Sequence, residues 1–123
     1  MQLLSIALGG AAGALLRYGV SVGVTAVAGR AFPYGTLAVN VLGCLAMGGL
    51  YVLLLERMAV APEWRAALLV GLLGAFTTFS TFSMETLTLL ENGEQLRAVV
   101  NVAASVVLCL LATWLGVLLG RSL

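Results

Sequence analysis

Residues 66–84 read AALLVGLLGAFTTFSTFSM, nineteen positions without a charge. A helix crossing a bilayer needs about 20 mostly apolar residues, so the stretch is long enough to span. Its second half is not that of an ordinary span. Behind Gly71 and Gly74 come Thr77, Thr78, Ser80, Thr81 and Ser83, five hydroxyls within seven positions. Ser and Thr side chains compete for backbone groups and bend helices. Non-helical backbone at membrane depth is tolerated only where it is buried in protein or lines a cavity. The pattern predicts a span broken at mid-membrane, with N–H and C=O groups freed there for ions. An unbroken helix whose hydroxyls bond back to the preceding turn is the alternative. Phe76, Phe79 and Phe82 recur at i+3 and share a face of a regular helix. A phenyl ring is positive at its edge, so edges turned inward solvate an anion; plain packing is the competing reading.

Working outward, charge-free runs also cover 31–55 and 98–120, and the segment 2–28 is interrupted only by Arg17. Hydrophobic residues make up 62% of the chain and charged ones 9%, whereas a soluble domain carries about a quarter charged residues. The solvent of this chain is therefore lipid. The expected fold class is an all-α membrane protein of four transmembrane helices, about 2–28, 34–55, 63–90 and 95–120, in a single transmembrane domain over 1–123. Residues 2–28 lack a basic n-region and a clear cleavage site, and read as a retained helix rather than a secretory signal. The connections are short: Gly29 to Gly35, Glu56 to Glu63, and Glu91-Asn92-Gly93-Glu94. None has room for a nucleotide and no Walker-type glycine loop is present, which excludes ATP-driven pumping by this chain alone.

Six arginines and five glutamates are all the charge there is, for a net +1, and nothing in that balance calls for nucleic acid. Four spans put both termini on one side, with Arg57, Arg65 and Arg121; Arg30 and Arg97 lie on the other. Orientation follows the Lys/Arg imbalance of short loops, and three against two is almost none. One orientation set by subtler features and insertion both ways up are both open. Two opposed copies would form an inverted repeat of the kind that builds larger transporters.

Several polar residues sit at depth. Thr36, Asn40 and Gly43 share a face of the second span, and Asn101, Ser105, Cys109 and Thr113 step by four along the fourth. One such residue is usually interhelical glue; stripes on two helices beside a hydroxyl-rich break look more like a lined path. Arg17 and Glu85 are functional-site candidates by default, and both lie near enough to a span end to snorkel. Cys44 and Cys109 have no short metal-type spacing and read as small buried hydrophobes without a redox or metal role. Gly9-x3-Gly13, Gly19-x3-Gly23 and Gly116-x3-Gly120 read as close helix packing.

Three motifs, taken together, resemble the bacterial fluoride channel family, often called Fluc or CrcB. They are Gly9-Gly10-x2-Gly13-Ala14-x2-Arg17-Tyr18, Gly35-Thr36-Leu37-x2-Asn40-x2-Gly43, and Gly74-x2-Thr77-Thr78-Phe79-Ser80-Thr81-Phe82-Ser83-x-Glu85. The third is highly specific. The resemblance implies passive, fluoride-selective efflux through two pores of an antiparallel, dual-topology homodimer in the bacterial inner membrane, and no enzymatic activity. It implies that Phe79 and Phe82 line the path with ring edges, that Asn40 donates to fluoride, and that Ser80, Thr81 and Ser105 form a polar track. It further implies a structural sodium ion on backbone carbonyls of Gly74 and Thr77. One departure is visible: Asn101 stands where some members carry an aromatic in early span four.

Elementary physics agrees with that expectation. A pore for a small, strongly hydrated anion must replace its water with donors. A bound cation would supply positive charge that the side chains at depth do not. The competing classes are a four-helix multidrug antiporter, which needs a membrane-embedded carboxylate for which Glu85 is the sole candidate, and a non-transporting assembly subunit.

Overall fold

The computed structural model describes all 123 residues. It contains four long helices and no strand: α1 (Gln2–Ala28), α2 (Tyr34–Arg57), α3 (Pro62–Glu91) and α4 (Gln95–Ser122), each long and apolar enough to cross a membrane. Local chemistry sets the boundaries. Pro62 opens α3 at a position whose N–H has no helical partner anyway, with Glu63 in the positive first turn. Gly93 takes φ 78 in the turn after α3, a left-handed conformation open to glycine at little cost. Arg57 Nη1 donates to the Arg121 carbonyl at 2.6 Å, joining the ends of α2 and α4. At the opposite end Arg97 reaches the Ala31 carbonyl at 3.2 Å and Glu94 at 2.6 Å. The loop arginines thus cluster at the two ends, while Arg17 lies within α1.

The helices pack as two parallel pairs, α1 on the first half of α3 and α2 on α4. Without a hydrophobic driving force between helices in lipid, close backbone approach and van der Waals contact hold such pairs together. Gly13 lies against the Leu72 carbonyl, and Gly71 against the Ile6 carbonyl. In the second pair Gly48 meets the Thr113 carbonyl and Gly116 meets the Leu45 carbonyl, with no room for a Cβ at either. Gly19 and Gly23 depart from this pattern. Nothing of the chain lies within 4 Å of where their Cβ atoms would stand, so this small-residue face of α1 is open.

The third span is not a continuous α-helix. Residues Ala66–Leu73 are wound as a π-helix, and Thr77 (φ −82, ψ 156) and Thr78 (φ −153, ψ 123) are extended. A second half-helix, Phe79–Glu91, starts beyond them. The interruption carries a consequence for the phenylalanine stripe. A shared face for Phe76, Phe79 and Phe82 presupposes a continuous helix, and the two extended residues cancel that register. Phe76 is buried against Gly43 as a packing residue, while the other two rings turn elsewhere.

Candidate ion pathway

Asn40 organises the interruption. Its Nδ2 donates to the Thr78 carbonyl at 2.9 Å, and the Thr78 N–H donates back to Oδ1 at 2.8 Å. One side-chain amide therefore satisfies both backbone groups of a residue that has left the helix. At depth this matters, because each unpaired backbone group would cost several kcal/mol, roughly. The clasp also takes the amide that would bond the Gly74 carbonyl in a continued helix. Thr77 N–H and Oγ1 both turn back to the Leu73 carbonyl at 3.0 Å, so part of the back-bonding alternative is realised at that one residue. The Thr77 carbonyl accepts no hydrogen bond within the chain.

Beyond the clasp, Thr78 Oγ1 caps the second half-helix by accepting from Thr81 N–H at 3.3 Å and contacts the Thr81 and Ser80 hydroxyls at 3.2 and 3.4 Å. Such capping compensates donors left free at a helix start. The thirteen-residue half-helix directs the positive end of its dipole at the break.

A cavity of about 360 Å³ opens beside the clasp, lined by Asn40, Thr78, Phe79, Phe82, Ser105 and the two cysteines among others. The Phe79 and Phe82 centroids stand 5.3 Å apart with planes at 49°. Their surroundings differ: Phe82 is buried, Phe79 is 77% exposed on the single chain. Ser105 contributes a buried hydroxyl with no hydrogen-bond partner, an uncommon state for a buried polar atom. The second nitrogen-bound proton of Asn40 is likewise left over after the clasp is made.

The other site candidates fall elsewhere. Thr81 and Arg17 line a second cavity of about 210 Å³ that also touches Thr78, and Ser80 is exposed on the surface of the half-helix. Glu85 lies in a polar basin of about 480 Å³ with Arg30, Arg97, Thr36 and Thr88, one of its oxygens unbonded. The carboxylate an antiporter would use is thus set apart from the Asn40 cavity. Asn101 is nearly fully buried and donates to Thr86 Oγ1 at 2.9 Å, which in turn donates to the Phe82 carbonyl at 2.8 Å. It holds α4 to the half-helix that carries Phe82 and does not line the cavity.

Sequence reasoning passed over two features here. One is the bracing role of Asn40, which depends on where the helix breaks. The other is that Cys44 and Cys109 line the same cavity, a pairing to which their separation in sequence gives no clue.

The fold and these cavities define a multi-pass helical membrane protein with polar groups gathered around an interrupted span. Residues 4–117 match the family described as CrcB-like protein, Camphor Resistance (CrcB), and the chain belongs to that family. It is 52% identical over 121 residues to the "Fluoride-specific ion channel FluC" of Magnetococcus marinus, covering 98% of both chains. It is 51% identical over 121 residues to the protein of the same name from Geobacter sulfurreducens, again over 98% of each. With the like-named protein of Methylococcus capsulatus it shares 58% identity over 123 residues, all of this chain but 54% of that longer relative. These names describe ion channels rather than enzymes.

Proposed function

We propose that this chain is a fluoride-selective channel working by passive electrodiffusion as an antiparallel homodimer in a bacterial inner membrane. The observation that carries the reading is the Asn40 clasp on Thr78 over a cavity whose unspent polar groups are donors: the remaining Asn40 N–H and the free Ser105 hydroxyl. An anion that sheds its water needs such groups, and the edges of Phe79 and Phe82 supplement them. In this reading Asn40, Phe79, Phe82 and Ser105 form the ion path, and Ser80 and Thr81 extend it along the half-helix. Arg17 and Glu85 stand at its approaches. The open Gly19–Gly23 face of α1 fits close packing of further protein, as a second copy would provide.

A structural sodium ion is part of the proposal. The donor set suits it: the carbonyls of Gly74 and Thr77 are neutral hard oxygens, and the break leaves both without their helical amides. No group of three or more His, Cys, Asp or Glu side chains gathers for a metal, and divalent ions usually want such charge. Bound between two copies, a cation would contribute fixed positive charge near the path.

Two measurements test the reading. Reconstituted protein is expected to dissipate a fluoride gradient from liposomes and to leave a chloride gradient standing; equal chloride flux defeats the selectivity, and flux that requires a proton gradient favours an antiporter. Phe79→Ile and Phe82→Ile are each expected to lower fluoride flux by about tenfold or more while the protein stays folded, since partial volume is kept and the ring edge is lost. Phe82→Ile carries the larger stability cost of the two because Phe82 is buried and Phe79 is not. Normal flux in both variants would return the rings to plain packing.

A further inference from the structure

The two cysteines lie at one level of the α2–α4 seam. Because α2 and α4 run parallel there, a step of one turn on both keeps partners level. Gly48 rests on Thr113; one turn toward each N-terminus from that contact stand Cys44 and Cys109. Both are free thiols, both are only partly covered, they are side-chain neighbours, and both line the Asn40–Phe82 cavity. The next turn along brings Asn40 level with Ser105. The thiols therefore sit one layer from the donors assigned to the ion.

We propose that Cys44 and Cys109 form a dithiol site for a soft divalent d10 cation held by two sulfurs, and that filling it closes the cavity. Two donors fix the class of ion. Zinc-type sites need four ligands, and no third His, Cys, Asp or Glu joins the pair. Soft thiolates select soft ions, and mercury(II) is content with two sulfurs in line. Charge selects within that class. Binding breaks both S–H bonds, releases two protons to water and forms two sulfur–metal bonds without any change of oxidation state. A divalent ion with two thiolates is neutral, whereas a monovalent one leaves a negative charge where burial makes charge costly. The close seam favours chelation, because the backbones of α2 and α4 meet at Gly48 and Gly116 and keep the second sulfur at high effective concentration.

The site itself can be measured without transport; closure of the path rests on the fluoride reading. Reduced, desalted protein in detergent is titrated with mercuric ion, then challenged with excess monothiol. The wild-type chain is expected to bind one ion, to release two protons per ion, and to retain the metal. Cys44→Ser and Cys109→Ser are each expected to release one proton and to give up the metal at about 100-fold lower monothiol, since the second sulfur's effective concentration is gone. In liposomes the ion is expected to lower wild-type fluoride efflux about tenfold or more, reversed by a dithiol, and to leave the efflux of the double serine variant at that variant's own metal-free rate. Metal lost from wild type as easily as from the single variants overturns the site. Retention without block, or block that persists in the double variant, overturns the closure. Absence of fluoride flux before metal is added defeats the channel reading instead, and leaves the binding result standing.

Discussion

Asn40→Asp is expected to abolish fluoride flux, by about 100-fold or more at neutral pH, in protein that still purifies as a folded species. The clasp explains why so small a change is severe. Aspartate keeps an acceptor for the Thr78 N–H but has no donor for the Thr78 carbonyl, which the amide meets at 2.9 Å. Leaving an acceptor unsatisfied costs about 1–3 kcal/mol when fully buried, and the Thr78 carbonyl is partly buried. The carboxylate also places a negative charge beside an anion's path, and like charges about 4 Å apart at an effective dielectric near 20 repel by about 4 kcal/mol. At about 1.4 kcal/mol per tenfold, the charge term alone exceeds the expected loss. Asn40→Leu separates the two effects: it removes the clasp without adding charge and is expected to lose flux together with thermal stability. Flux within about twofold of wild type in the aspartate variant, under about 0.5 kcal/mol at about 1.4 kcal/mol per tenfold, would remove Asn40 from the path and make the clasp dispensable.

The distribution of what was legible follows from this clasp. Four spans were readable because lipid imposes length and apolarity residue by residue, and the short turns carry Pro62 and Gly93 where the backbone needs them. Facial arguments within one helix held only while the helix ran on. Thr36, Asn40 and Gly43 lie on a regular stretch, whereas the Phe76–Phe79–Phe82 stripe crosses Thr77 and Thr78, and the extended backbone there sends Phe76 into packing. Pairings between helices were hidden, since they depend on the relative slide of α2 and α4. A signal for one of them was nonetheless present. Thr36, Asn40, Cys44 and Gly48 step by four, as do Asn101, Ser105, Cys109 and Thr113. Two ladders of equal pitch on helices that run parallel come into register rung by rung, once a single contact such as Gly48 on Thr113 is known.

Gly74→Val is expected to lower fluoride flux about 100-fold while the single chain remains folded, and the reason is space rather than backbone freedom. Gly74 has φ −61 and ψ −38, ordinary helical values open to any residue, so glycine is not required there for its conformation. Within the chain a Cβ would meet only the Leu69 carbonyl at 3.9 Å, ordinary contact distance. Gly74 is exposed on the single chain, unlike Gly48 and Gly116, whose Cβ positions are already taken. Helix propensity ranks valine above glycine, so valine at 74 costs the chain alone little or nothing. The cost appears only if another surface comes against this face, as the proposed sodium site between two copies requires. The branched side chain would then hold the Gly74 and Thr77 carbonyls of opposed copies apart. The variant is expected to shift from dimer to monomer in detergent and to lose any dependence on sodium, alongside the loss of flux. Gly74→Ala, with one carbon in place of three, is expected to fall between it and wild type. A valine variant that stays dimeric and conducts like wild type would show that no partner approaches this face, and the carbonyls freed by the break would need another role.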